Sequence, residues 1–205
     1  MTDKILRLLI AEDVDLVAEA FEALLSTEPS FEVVARVGRG DLVLPAVQKH
    51  HPDVAVLDVD MPGATGIEAA AQISAAYPQC KVLLLTALPG SGHLHRALAA
   101  GASGYLVKAT TAARLIDGIK TVAAGGTVID PQLAADALRS GPSPLTERER
   151  QILLLVQDGV DTDTIAHRLF LSRGTVRNYL SNAMTKLDAT TRIEAVRTAT
   201  RRGWL

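Results

Sequence analysis

Over the first 125 residues, short apolar runs alternate with longer stretches whose apolar positions recur every three or four residues. Leu6–Ile10, Phe31–Val37, Val54–Leu57, Lys81–Thr86 and Gly104–Val107 read as strands. Val14–Ser26, Leu42–Lys49, Gly66–Tyr77, His93–Ala100 and Thr111–Ala124 read as helices; in the first of these, Leu16, Val17, Ala20, Leu24 and Leu25 mark one face. Strands that are apolar on nearly every residue need cover on both faces. The pattern therefore predicts an α/β unit, a parallel sheet between two helix layers.

Five such repeats fit a flavodoxin-like doubly wound domain of five parallel strands in the order 2-1-3-4-5. Its switch point then falls between strands 1 and 3, where open sheets of this kind bind ligands.

Beyond Gly125 and Gly126 the alternation stops. A short helix over Pro131–Leu138 leads into Ser140, Gly141, Pro142, Ser143 and Pro144, a composition that reads as linker. Everything after it reads helical. Thr146 and Glu149 form a capping-box pair opening Glu147–Gln157. Thr162–Leu169 is short, Phe170, Leu171 and Ser172 turn the chain, and Ser172 is placed to cap Arg173–Leu187. Val176, Leu180, Ala183 and Leu187 form one apolar stripe on that helix, and Arg192–Arg202 is the last. The expected division is a first domain over 1–125, a linker with a short helix over 126–143, and an all-α helix-turn-helix domain over 144–205.

Composition narrows the setting. Of 205 residues, 48% are hydrophobic but only 3% aromatic, so a core of Leu, Val, Ile and Ala is expected. The lone Cys80 excludes an intrachain disulfide and reads as a small buried filler. No run approaches the ~18 apolar residues of a membrane span, and the N-terminus lacks a signal-peptide pattern. A cytoplasmic protein with no direct membrane insertion is expected. The net charge of −2 hides an asymmetry: residues 1–125 carry 10 basic and 14 acidic side chains, whereas 173–202 carry 7 and 2. An acidic first part joined to a basic end suggests two tasks, one with an anionic partner.

The acidic part carries the sharpest chemistry. Glu12, Asp13, Asp58, Thr86 and Lys108 sit at the ends of strands 1, 3, 4 and 5. Parallel strands bring those ends into one crevice. Each residue alone has a bland reading as a turn acid, a strand-end hydroxyl or a surface lysine; five at the matching strand ends do not. Asp13 and Asp58 can ligate a hard cation such as Mg2+ directly, Glu12 through water, and Asp60 through its backbone carbonyl. A carboxylate can also act as nucleophile. Asp58 ends the central strand ahead of an exposed loop, so it is the expected phosphoryl acceptor, with Lys108 and Thr86 placed to neutralise phosphoryl oxygens.

These residues resemble a response-regulator receiver domain over 5–124. The resemblance rests on Glu12 and Asp13, on Leu57 to Gly63 around Asp58, on Thr86 and Ala87, and on Gly104 to Lys108. It implies phosphorylation of Asp58 by a sensor histidine kinase, dependence on magnesium, and a switch in which Thr86 moves toward the phosphoryl group while Tyr105 rotates inward. One departure is Ala109, where many receivers carry proline after the lysine.

In the last part, Thr162–Ser181 has helix-turn-helix proportions. Opposite the apolar stripe stand Gly174, Arg177, Asn178, Ser181 and Thr185. Arg and Asn suit guanine and adenine edges in a major groove, while Arg173 and Lys186 are better placed for phosphates. A solvated face of a helical bundle is the bland alternative. The segments Leu145–Glu149, Ile165–Leu169, Gly174–Tyr179 and Arg192–Val196 are similar to the LuxR-type helix-turn-helix of the NarL/FixJ family, whose last helix dimerises. Within that family, Gly174–Ser181 and the ending at Trp204 resemble the DesR-type regulators of membrane-lipid desaturation. Thr175 falls in the same recognition segment.

The combined expectation is a two-component transcription regulator. Phosphorylation would promote a homodimer that binds a two-fold-related site on double-stranded DNA. Two other readings stand beside it: a phosphatase of the haloacid-dehalogenase type using Asp58 and Asp60, and a receiver-like module that is never phosphorylated. The chain is read as a regulator rather than a turnover enzyme. His50, His51, His93, His95 and His167 show no metal-ligand pairing, and Trp204 reads as a packing residue.

Overall fold

A computed structural model describes residues 5–87, 91–141 and 143–205. The extreme N-terminus and Pro142 of the expected linker lie outside the described residues. Six strands form one sheet: β1 (Leu6–Ala11), β2 (Phe31–Val37), β3 (Val54–Asp58), β4 (Lys81–Thr86), β5 (Gly104–Val107) and β6 (Val128–Ile129). Their order is β2-β1-β3-β4-β5-β6, all neighbours parallel. The helices are α1 (Asp15–Leu25), α2 (Val43–His50), α3 (Gly66–Ala76), α4 (Ser91–Ala99), α5 (Ala112–Ala123), α6 (Pro131–Ser140), α7 (Glu147–Gln157), α8 (Thr162–Arg168), α9 (Arg173–Lys186) and α10 (Arg192–Arg201).

The expected doubly wound order of the first five strands holds. All five expected strands are present, and a short sixth joins them. Val128 and Ile129 form it, pairing with Gly104 and Tyr105. Two residues carry no readable periodicity, so this strand exists because β5 offers an unpaired edge. Val128 donates its amide to Ser103 and Asp130 donates its amide to Tyr105. The chain called a linker therefore begins as part of the sheet.

The described residues fall into two compact units, one formed by 5–87 and 96–132, the other by 91–95 and 133–205. In the first, β3 is buried along its whole length, as is β4 apart from Lys81. Leu8, Ile10, Val54, Val56, Leu83, Leu85 and Leu106 meet Leu115, Ile119 and Val122 of α5 in one cluster. Burying such side chains supplies about 1.5–3 kcal/mol each against the entropy of ordering the chain. In the second, Ile152, Leu153, Ile165, Val176, Leu180, Ala183, Leu187, Ala195 and Ala199 pack with Trp204. The stripe expected on α9 is thus its core face, and Trp204 is a packing residue. The indole is also covered by the Arg202 guanidinium, 4.9 Å from the ring centroid. Cys80 is buried and its thiol is pushed up to about 12, by burial first, which keeps it inert. Among the described residues, no helix is long and apolar enough to cross a membrane.

Candidate functional site

The sheet order decides where the acids meet. β1 and β3 are neighbours, with Ala11 paired to Leu57, so Glu12 and Asp13 after β1 emerge beside Asp58, the last residue of β3. Glu12 and Asp58 are buried and Asp13 is exposed, yet one carboxylate oxygen of each lies within 4.8 Å of the other two. Lys108 leaves β5 on the far side of β4, and its amide is bonded to the Thr86 carbonyl at 2.7 Å. That bond delivers the ammonium to the acids: Nζ is 2.7 Å from Glu12 Oε2 and 3.1 Å from Asp58 Oδ2.

Electrostatics follow from this burial. Desolvation pushes the Asp58 carboxyl up from its ordinary value; the Lys108 ammonium opposes the shift and the Glu12 charge adds to it. The Asp60 amide also bonds the Asp58 carboxylate and opposes the rise. For Lys108, burial works against the charge, but the hydrogen bonds to Glu12 and Asp58 prevail and hold it above its usual range. Three acids with oxygens this close repel one another, and a single lysine neutralises only part of their charge. An oxygen-lined, anionic, partly open cluster suits a hard divalent cation such as Mg2+. Glu12, Asp13 and Asp58 are the side chains able to hold it.

Thr86 and Tyr105 are both fully buried, on the neighbouring strands β4 and β5. The Tyr105 hydroxyl forms no well-aligned hydrogen bond. Burial first, partly offset by the neighbouring Thr86 hydroxyl, pushes it up to about 12. The ring is thus in the inward position. After Lys108 the loop carrying Ala109 is closed by the Thr110 amide on the Val107 carbonyl and by Thr111, whose hydroxyl accepts from the Arg114 amide at the start of α5.

Two supports escaped the sequence reading. Gly66 opens α3 directly behind the acceptor: its amide bonds the Val59 carbonyl, and a Cβ there would overlap the Asp58 carbonyl oxygen. Thr65 and Glu68 form a capping box around it. The threonine-x-x-glutamate spacing was readable; the close backbone approach was not.

In the second unit, Asp161 caps α8, and Ser172 caps α9 by accepting from the Thr175 amide at 3.0 Å. Arg177, Asn178 and Ser181 are exposed, and Thr175, half-buried, shares a hydroxyl–hydroxyl bond with Ser172. Arg173 lies 2.9 Å from Asp163, both well exposed. Lys186, expected to face phosphates, is exposed and carries an ion pair. Its ammonium is 2.7 Å from Glu149 Oε2, a buried carboxylate that also completes the Thr146 capping box. The lysine thereby ties the last turn of α9 to the first turn of α7.

Comparison with known proteins matches both halves of the chain. Residues 8–120 fit the response regulator receiver domain, and residues 143–199 fit the bacterial regulatory proteins of the luxR family. The transcriptional regulatory protein DesR of Bacillus subtilis (strain 168) is 40% identical over 195 residues, covering 95% of this chain and 96% of its own. The DNA-binding transcriptional activator DevR/DosR of Mycobacterium tuberculosis (strain ATCC 25618 / H37Rv) is 33% identical over 203 residues, 95% of this chain and 94% of its own. Among solved structures, the response regulator ChrA of a heme-sensing two-component system aligns with a TM-score of 0.59 at 28% identity, covering 99% of this chain and all of that one. The phosphatase alternative fails on topology, since Asp58 ends the third strand and helices of the luxR type follow. An acidic crevice at the switch point of a receiver sheet, joined in one chain to a luxR-type helix-turn-helix and matched over nearly its full length by transcriptional regulators, makes this protein a two-component response regulator of the NarL/FixJ family.

Proposed function

We propose that Asp58 is the phosphoryl acceptor, and that its modification by a sensor histidine kinase governs dimerisation and binding to a two-fold-related site on double-stranded DNA. The observation that carries this reading is the convergence of the Glu12, Asp13 and Asp58 oxygens within 4.8 Å, with Lys108 2.7 Å and 3.1 Å from two of them.

In the proposed reaction an Asp58 oxygen forms a bond to phosphorus as the phosphorus–nitrogen bond of a phosphohistidine breaks, and the imidazole leaves with the electron pair. The protein's part is positioning and neutralisation. Lys108 already holds the acceptor and would follow a phosphoryl oxygen; Thr86, bonded through its carbonyl to the Lys108 amide, would supply its hydroxyl to another. Glu12, Asp13, Asp58 and the Asp60 carbonyl would hold Mg2+, which when bound neutralises phosphoryl charge. Tyr105, buried beside Thr86, would be the second element of the switch.

For the DNA side, Arg177, Asn178 and Ser181 on the exposed face of α9 are the residues assigned to base edges. Arg173 and Thr175 at its first turn are assigned to the backbone, with Lys186 as a lesser contact because Glu149 holds it. The setting for such a regulator is the cytoplasm.

The test is to measure oligomeric state and duplex binding of the full chain with and without beryllium fluoride in magnesium. Stronger dimerisation and tighter, salt-dependent binding in the fluoride-treated state are expected. Identical behaviour in both states would refute the switch.

A further inference from the structure

Phe170 combines two unfavourable features. Its backbone is left-handed, with φ +54°, a region where glycine or asparagine is at ease and a bulky side chain is not. Its ring is 96% exposed, more than any other large apolar side chain among the described residues. His51 and Asp188 share the left-handed φ, but both are polar. The flanking Leu169 and Leu171 pack against the core of the second unit. The turn therefore sends its neighbours in and this ring out, with no return in packing.

Its position says what the ring faces. Phe170 lies between α8 and α9, two residues before the Ser172 cap, with exposed Arg168 and Arg173 on either side. The three residues from Phe170 to Arg173 span at most about 11 Å, close to the ~12 Å width of a major groove. With the first turn of α9 in that groove, as helix-turn-helix docking requires, position 170 is within reach of the strand at the groove's edge. There a duplex presents phosphates to the two arginines and the apolar C–H face of a deoxyribose to the ring.

We propose that Phe170 is a DNA contact, packing its ring on a backbone deoxyribose beside phosphates met by Arg168 and Arg173. This rests on the DNA-binding reading above. An acidic protein surface could also meet an aromatic ring between two arginines, and the test separates the two.

The full chain, treated with beryllium fluoride, is used to recover duplexes from a random-sequence pool. Wild type, Phe170→Asn and Phe170→Trp are then titrated on those duplexes over a range of salt. Phe170→Asn relaxes the backbone, so it should unfold at the same temperature or higher. It should bind about tenfold more weakly, as expected for losing one buried ring, with the slope of log affinity on log salt unchanged. Phe170→Trp keeps an apolar ring and should stay within about threefold of wild type. Binding by Phe170→Asn within twofold of wild type overturns the proposal, including the case where only transcription by RNA polymerase is lost, which would point to a protein partner. A reduced salt slope also overturns it, because that reports a charge effect. Wild type recovering no duplex would instead overturn the DNA-binding reading, and this contact with it.

Discussion

The Lys108 ammonium sits 3.1 Å from the Asp58 carboxylate while holding Glu12 at 2.7 Å, so one cation bridges acids at the carboxyl ends of two neighbouring strands. Removing it would leave two buried carboxylates facing each other. Lys108→Met should lower stability by about 3 kcal/mol in metal-free buffer, the lower end for a broken buried pair because the crevice opens to water at Asp13. Magnesium should narrow that gap. In the wild type it should raise the unfolding temperature by mass action, and Asp13→Asn should lose most of that rise. Thermal unfolding with and without the ion checks all four.

Phosphoryl acceptance has its own readout. Asp58→Ala should abolish labelling by a phosphorylated kinase or a small phosphoryl donor, while Asp60→Ala should retain it, since the amide of residue 60 survives the change. Persistent labelling of Asp58→Ala would reassign the acceptor.

Gly66 offers a test of backbone positioning. A methyl group there overlaps the Asp58 carbonyl, and neither partner is a flexible side chain. Gly66→Ala should destabilise the first unit by more than about 3 kcal/mol, whereas Gly125→Ala meets nothing within 4 Å and is strained only through its φ of +85°. Denaturant melts of the two variants make the comparison.

The second unit should respond to acid through Glu149. Burial alone would raise its carboxyl; the Lys186 ammonium and the Thr146 amide and hydroxyl more than reverse this and leave it below its ordinary 4.5. A carboxyl lower in the folded state contributes stability that is complete above 4.5 and is lost as pH falls through the folded-state value. Glu149→Gln should cost about 1–2 kcal/mol at neutral pH and flatten the profile below pH 4.5. Lys186→Ala should likewise lower stability more than it lowers the salt slope of DNA binding. Arg177→Ala and Asn178→Ala should instead cost about 1–3 kcal/mol of discrimination at single base positions with no loss of fold.

Asp130 links the added strand to the helix after it. Its amide bonds Tyr105, its side chain accepts from the Gln132 amide at 2.9 Å, and Arg114 lies 3.4 Å away. Asp130→Ala should fray the start of α6 by about 1 kcal/mol, read as faster hydrogen exchange at the Gln132 amide.

Much of this molecule was determined along the chain. Apolar runs of four to seven residues next to amphipathic stretches dictate parallel strands and covering helices, because backbone geometry and side-chain period are local properties. Strand-end residues then converge by topology alone, which is why Glu12, Asp13, Asp58, Thr86 and Lys108 could be named from their positions. The caps at Thr146 and Ser172 were equally legible, since each joins residues three apart. Other features were decided only in three dimensions. Val128 and Ile129 became a strand because Gly104 and Tyr105 had an open edge. The Lys186 ammonium found a partner in Glu149, buried and 37 residues away in the chain. Gly66 is required by a carbonyl it meets only after folding, and Phe170 shows its exposure and left-handed backbone only once the helices on either side have packed. Pattern reports the preference of a segment, whereas a long-range partner is chosen by where folding leaves an unpaired edge, a buried charge or a close approach.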